Sequence, residues 1–204
     1  MSPRPYQLGK RQMQIDESRR RVLDAARDLL AEASTYTAFT VDAVAKQAGV
    51  ARATVYYQFG SKTGLLEALC DDLAESGQMG ELRYAFANPD PYDGLASFVT
   101  AFARFWAADR LVMRRLRALA ALDPDVQAVI AARDNRRHHG LSVLIDRLTD
   151  SQPSLEADET VRVLHTLTSF ETFDSLAGPD RDPTSAVPIV LQLTEAVLRQ
   201  APEG

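Results

Sequence analysis

A single run of 23 residues from Thr40 to Lys62, TVDAVAKQAGVARATVYYQFGSK, constrains this chain more than any other part of it. It reads as two short helices joined by a tight turn, with a third helix starting at once. Thr40 is a good N-cap for a helix over Val41 to Ala48. Gly49 can take the left-handed conformation that a sharp helix-to-helix turn needs. A second helix is predicted from about Arg52 to Gln58. Val44, Ala48, Val50, Val55 and Phe59 are spaced to bury together, and Ala45 is small enough for the helices to cross closely. Arg52, Ala53, Tyr56 and Tyr57 are left on the outward face. A compact helix pair presenting Arg and Tyr is what a DNA major groove accepts; the plain alternative is a helical hairpin in an all-α domain.

The same run resembles the DNA-binding signature of TetR-family transcriptional regulators. Thr40, Val44, Ala45, Ala48, Gly49, Val50, Val55, Tyr56, Phe59, Ser61 and Lys62 fall on its fixed positions. Two residues depart from it: Ala51 stands where Ser is frequent, removing a side-chain cap, and Tyr57 stands where His is common. The resemblance implies an all-α fold of about nine helices. An N-terminal three-helix, homeodomain-like helix-turn-helix domain would be followed by a C-terminal helical ligand-binding and dimerisation domain. It further implies a homodimer on a palindromic operator in double-stranded DNA, acting as a ligand-responsive repressor. In that frame Arg52 reads base edges, guanine above all, and Ala53 meets a thymine methyl. Tyr56 and Tyr57 contact phosphates or nearby bases, while Thr40, Thr54 and Lys62 hold the DNA backbone.

Charge is distributed to match. Residues 1–62 carry 10 Lys and Arg against 6 acids, and residues 63–204 carry 13 against 22, so the parts stand at +4 and −9. All three lysines, Lys10, Lys46 and Lys62, lie in the first part. The acidic remainder repels phosphate, so nucleic acid is expected only at the N-terminal end. The first 15 residues, with Arg4, Lys10 and Arg11, are expected to form a flexible basic arm. Helix-turn-helix and connector helix are placed at 16–77 and the regulatory and dimerisation domain at 78–204. The first helix is predicted over about Asp16 to Ala33, with Val22, Ala26, Leu29, Leu30 and Ala33 as its buried stripe.

Beyond Tyr92 every strong pattern is helical: about Gly94 to Ala108, Arg110 to Leu122, Pro124 to Thr149, Leu155 to Ala177 and Pro183 to Gln200. The last two are more apolar than a monomer's surface should be. Some of this must cover the chain's own core, and the excess leads to Val161, Leu164, Thr168, Val187, Leu191, Thr194 and Leu198 being read as a dimer interface, a four-helix arrangement that the family also uses, with a purely intrachain bundle as the alternative. Phe98, Phe102, Trp106, Met113, Leu116, Leu144, Leu167, Phe170 and Phe173 are candidates to line an apolar cavity for a small-molecule effector, with plain core as the alternative for each. One inward-facing His or Arg of the 133–139 cluster would anchor a polar group of that effector.

Several function classes drop out. The adjacent His138 and His139 diverge by about 100° on a helix, so they cannot share one metal, and His165 stands alone. No metal or cofactor is expected. No nucleophile elbow, phosphate loop, H-E-x-x-H or dinucleotide fingerprint occurs, which argues against an enzyme. No apolar run approaches the roughly 18 residues of a membrane span. Without an apolar signal core at the N-terminus, and with Cys70 as the one cysteine, a cytoplasmic location is expected.

Overall fold

The computed structural model describes residues 4–32, 39–149 and 156–199, with side chains from residue 12 onward. Among the described residues there are eleven α-helices and no strand. They are α1 (Arg4–Glu32), α2 (Val41–Ala48), α3 (Arg52–Phe59), α4 (Lys62–Ser76), α5 (Leu82–Ala87), α6 (Pro91–Ala108), α7 (Arg110–Ala120), α8 (Pro124–Thr149), α9 (Ala157–Leu167), α10 (Phe170–Ala177) and α11 (Val187–Arg199). Short 3-10 turns, Met79–Glu81 and Pro183–Ala186, precede α5 and α11.

The all-α class holds, while the count exceeds the expected nine by two helices. One is α5, a six-residue helix in a stretch whose glycines and prolines resemble loop. The other comes from a break in the helix expected over 155–177. Thr168 leaves the helix at φ −92°, ψ 5°, and Ser169 sits in extended backbone and N-caps α10, its hydroxyl accepting from the Thr172 amide at 3.2 Å. A Thr-Ser pair inside an apolar helix is the local signal for that break. Two boundaries also move. Asp90 caps α6 through the Tyr92 amide (2.8 Å) with Pro91 in the first turn, so α6 starts three residues before Gly94. Helix α1 begins at Arg4 rather than near Asp16, running through the stretch expected to be a flexible arm. Pro5 stands in its first turn, where proline is tolerated, and Gln, Lys, Arg, Leu and Met dominate the next two turns. The remainder of that arm, residues 1–3, lies outside the described residues, as do the side chains of 4–11.

The packing separates two compact units, one of residues 1–72 with 114–129 and one of 73–113 with 130–204. The division read from the sequence at residue 77 is contiguous; this one is not.

In the first unit, Val22, Ala25, Ala26 and Leu30 of α1, Val41, Val44, Ala45 and Ala48 of α2, Val55 of α3 and Leu65, Leu66, Leu69 and Cys70 of α4 are buried. Helix α2 packs on both α1 and α3. Gly64 is needed where α3 ends and α4 begins. A Cβ there would lie 2.1 Å from the Phe59 carbonyl oxygen, a backbone atom with nowhere to go.

In the second unit the buried side chains come chiefly from α6 (Leu95, Phe98, Val99, Phe102, Trp106), α8 (Leu141, Leu144, Ile145, Leu148) and α10 (Phe170, Phe173). Arginines close its helix ends. Arg110 binds Asp174 (Nε–Oδ1 2.5 Å) and donates to the Gly178 and Arg181 carbonyls at 2.5 and 2.7 Å, beyond the end of α10. Arg147 donates to the Phe86 and Asn88 carbonyls at 3.1 and 2.6 Å, where α5 ends. Arg110 also donates to the Asp174 carbonyl at 3.0 Å, so each of the two arginines supplies a carbonyl of a last helical turn with a charged donor.

Gly64→Ala is expected to destabilise the protein by about 1–3 kcal/mol, the range for forcing atoms into filled space. Gly80→Ala, where nothing lies within 4 Å of the new Cβ, serves as the contrast and should be near neutral. Urea unfolding of both variants checks the difference.

Candidate nucleic-acid interface

The turn between α2 and α3 is built by backbone geometry. Thr40 caps α2, its hydroxyl accepting from the Ala43 amide at 3.1 Å. Gly49 sits at φ 64°, ψ 35°, and the Val50 amide reaches back to the Ala45 carbonyl at 3.0 Å. That closure ends α2 in one residue and lets α3 start two residues later. Ala51 gives α3 no side-chain cap. At the far end, Arg19 of α1 donates to the Gln58 carbonyl at 3.1 Å, and its guanidinium lies 4.4 Å from the Phe59 ring centroid. Arg19, one of the charge run near the start of α1, is therefore committed to holding α3 in place.

With Val55 buried, the opposite side of α3 faces out. Arg52, Ala53, Tyr56 and Tyr57 are all exposed, Tyr57 at 81% and Tyr56 at 39%. Thr40 is exposed and Thr54 half-buried. These candidate DNA-contacting side chains share one surface made by the start of α2 and the outer face of α3.

Two of the cations are already engaged. Arg52 donates from Nη1 to Asp42 Oδ2 at 3.0 Å and from Nη2 to the Tyr56 hydroxyl at 3.2 Å. The Tyr56 hydrogen bond first, then the Asp42 charge, raise its pKa above the ordinary arginine value. Lys62, at the first position of α4, donates its ammonium to Asp123 in the turn between α7 and α8, within the same unit. That hydrogen bond from Lys62 is the main reason the Asp123 carboxyl titrates below its ordinary value. Its other oxygen accepts from the Asp125 amide at 3.0 Å and caps α8. Asp42, Asp123 and Gly64 are not among the residues singled out by the sequence. Their partners are set by packing, and only the positions of Asp42 and Arg52 in successive first turns hint at a pair.

The second unit places the other candidates differently from the sequence reading. Val161, Leu164, Thr168, Thr194 and Leu198 are buried within the chain itself, so they cannot form a surface for a second copy. Val187 and Leu191 are half-buried. The most apolar stripe of each helix serves its own core, and the large apolar side chains left exposed on them are Val163, Ile189 and Leu193, at 36%, 43% and 40% exposure. Of the effector-lining candidates, Phe98, Phe102, Trp106 and Phe170 form one aromatic run with ring centroids 4.7, 5.7 and 5.7 Å apart. Met113, Leu144 and Phe173 are also buried, Leu167 is half-buried, and Leu116 falls in the other unit. None of them lines the open groove of about 460 Å³ along α5 and α6, whose walls include Glu81, Tyr84, Asp93, Ser97, Thr100 and Arg104.

Of the 133–139 cluster, Arg137 turns inward, 4% exposed. It donates to the His165 carbonyl and, at 2.9 Å, to the Thr168 hydroxyl, closing the end of α9. Its guanidinium lies 5.9 Å from the Phe102 ring centroid. His165 stacks edge-on with His138 at 5.4 Å, and burial, then the Arg137 charge, lower its pKa. No described helix is long and apolar enough to cross a membrane.

A family model described as "Bacterial regulatory proteins, tetR family" matches residues 22–69. The chain is 33% identical over 122 residues to the HTH-type transcriptional regulator AlkX of Mycobacterium tuberculosis. That match spans 58% of this chain and 54% of AlkX, about half the relative's length. In fold it is similar to NalD, the secondary repressor of the MexAB-OprM multidrug efflux pump in Pseudomonas aeruginosa (TM-score 0.68, 17% identity, 89% of this chain and 96% of that one). It is also similar to FadR of Bacillus subtilis, solved with stearoyl-CoA (TM-score 0.64, 20% identity, 87% and 97%).

The Lys62–Asp123 pair yields a pH prediction. A carboxyl whose folded pKa is depressed contributes stability that is present above its unfolded value near 3.9 and lost as pH falls through the folded value. Asp123→Asn keeps the cap and removes the charge. It should cost about 0.5–1 kcal/mol near neutral pH, and the difference from the unaltered protein should close below the ordinary carboxylate range. Urea unfolding across that pH range checks it.

Proposed function

We propose that this chain, whose residues 22–69 match the family model of tetR-family bacterial regulatory proteins, reads a specific palindromic sequence in double-stranded DNA as a homodimer and regulates transcription there. The observation that carries the reading is the outer face of α3. Arg52, Ala53, Tyr56 and Tyr57 stand exposed on a helix held from behind by Val55 and from its end by Arg19. A helix of that size enters a major groove, where Arg52 donates to a guanine edge and Ala53 meets a thymine methyl. Tyr56, Tyr57, Thr40 and Thr54 lie at the rim for phosphates and neighbouring bases. Lys62 joins them on exchanging Asp123 for a phosphate.

The opposed net charges of residues 1–62 and 63–204 support the orientation, since only the first attracts a polyanion. Twofold symmetry supplies two such helices for half-sites about one helical turn or slightly more apart. Val163 of α9 with Ile189 and Leu193 of α11 are the apolar side chains that pair with their copies. A small-molecule effector is proposed for the second unit; the similar fold of FadR, solved with stearoyl-CoA, supports that class of partner. A coupling of about 1–3 kcal/mol between effector and DNA changes occupancy 5- to 150-fold, enough for repression relieved by the effector. The work is done in the cytoplasm, where the chromosome is.

Selection of bound duplexes from a random pool is the direct test, and a chain that enriches no sequence at low salt would sink the reading. Arg52→Ala should relax preference at one base pair of each half-site by about tenfold, as read by competition with single-base variants. Tyr57→Ala should weaken all sequences alike. Leu193→Asp should turn a dimer into a monomer in sedimentation; an intact dimer would place the interface elsewhere.

A further inference from the structure

Asp42 and Arg52 lie ten residues apart, each in the first turn of its helix, on either side of the Gly49 turn. The Asp42 carboxylate holds one end of the guanidinium at 3.0 Å, and the Tyr56 hydroxyl, one turn along α3, holds the other at 3.2 Å. The guanidinium carbon is 5.4 Å from the Tyr56 ring centroid. A carboxylate on one helix and a phenol on the next therefore fix the plane of an arginine whose stem is otherwise free. Both charged side chains remain well exposed, at 59% for Arg52 and 63% for Asp42. Two of the five guanidinium N–H groups are used, which leaves three to donate outward.

A carboxylate on this surface has a cost that a merely structural acid would avoid. It stands beside the helix that faces DNA and repels phosphate whatever the sequence, which lowers affinity for every duplex. Favourable placement at the positive end of α2 does not need the partner on α3. The carboxylate has a use at this spot if it aims the arginine. A guanidinium held in one plane presents a fork suited to the paired acceptors of guanine, whereas an untethered one bends toward any nearby phosphate.

We propose that Asp42 is a positioning residue for sequence readout, orienting Arg52 toward a base edge and penalising non-specific DNA through its own charge. This rests on the reading of α3 as the helix that enters the groove. Asp42 touches no base; it acts through Arg52, and Tyr56 completes the clamp. The repulsion falls on every duplex alike, and only the right site offsets it, through the base contact that the aimed Arg52 makes.

The experiment uses the full chain. Its preferred duplex is found by selection from a random pool, and affinities for every single-base variant and for a random duplex are measured by fluorescence anisotropy. The proteins compared are the unaltered chain, Asp42→Asn, Arg52→Ala and the double variant. Asp42→Asn is expected to relax preference about tenfold at the same base pair as Arg52→Ala, to leave other positions unchanged, and to tighten binding to the random duplex. In the double variant the preference should match that of Arg52→Ala alone, because Asp42 has nothing left to aim. Preference unchanged in Asp42→Asn overturns the proposal, as does a further loss of preference in the double variant or a uniform loss at all positions. A chain that selects no sequence overturns the groove-reading assignment and this proposal with it; a selected sequence that ignores Asp42→Asn overturns only the role of Asp42.

Discussion

Burial of one β-branched side chain, Val55, organises everything that faces outward in the first unit. Helix α3 is only eight residues long and has no side-chain cap, so its own hydrogen bonds cannot hold it. It exists because Val55 packs inward while α2, ended within one residue at Gly49, turns back in time to receive it. Once Val55 points in, helical geometry sends Arg52, Ala53, Tyr56 and Tyr57 out. Arg19 and the close approach at Gly64 then fix the far end of α3 against α1 and α4. The exposed aromatic face is thus a consequence of the core behind it.

Electrostatics adds a second layer. Counting charges marks residues 1–62 as positive, yet Arg19, Arg27, Arg52 and Lys62 have partners inside the first unit. The field that a polyanion meets is therefore weaker and more directional than a net charge of +4 suggests. Intramolecular pairs also hold cations in defined places, and a placed cation can discriminate where a mobile one only attracts. The acids that make these pairs, Asp42, Asp72 and Asp123, are as much a part of the surface chemistry as the bases.

The second unit uses arginine for another purpose. Arg110, Arg137 and Arg147 each reach across to the carbonyl end of a helix. In an all-helical unit every helix ends in carbonyls without intrahelical donors, and short helices multiply such ends. The break between α9 and α10 would strand several of them beside the apolar run of Phe102, Trp106 and Phe170. Arg137 donating to the His165 carbonyl, the Thr168 hydroxyl donating to the Leu164 carbonyl at 2.8 Å and the Trp106 indole donating to the Thr168 carbonyl at 3.1 Å supply the missing donors. This explains why an inward arginine, read from the sequence as an anchor for an effector, is engaged with backbone instead.

The sequence alone determined the all-α class, the α2–turn–α3 unit to within a residue, and which four side chains of α3 point outward. Those features depend on helical periodicity, an N-cap and one left-handed glycine, all of which act within a few residues. Tertiary structure alone decided which acids hold Arg52 and Lys62, and which apolar stripes of α9 and α11 are spent on the chain's own core. Each of those depends on a partner in another element, 10 residues away for Arg52 and 61 for Lys62, or on competition between two apolar faces of one helix. Local patterns mark a face as apolar, but only packing chooses whether it covers its own core or is left for another surface.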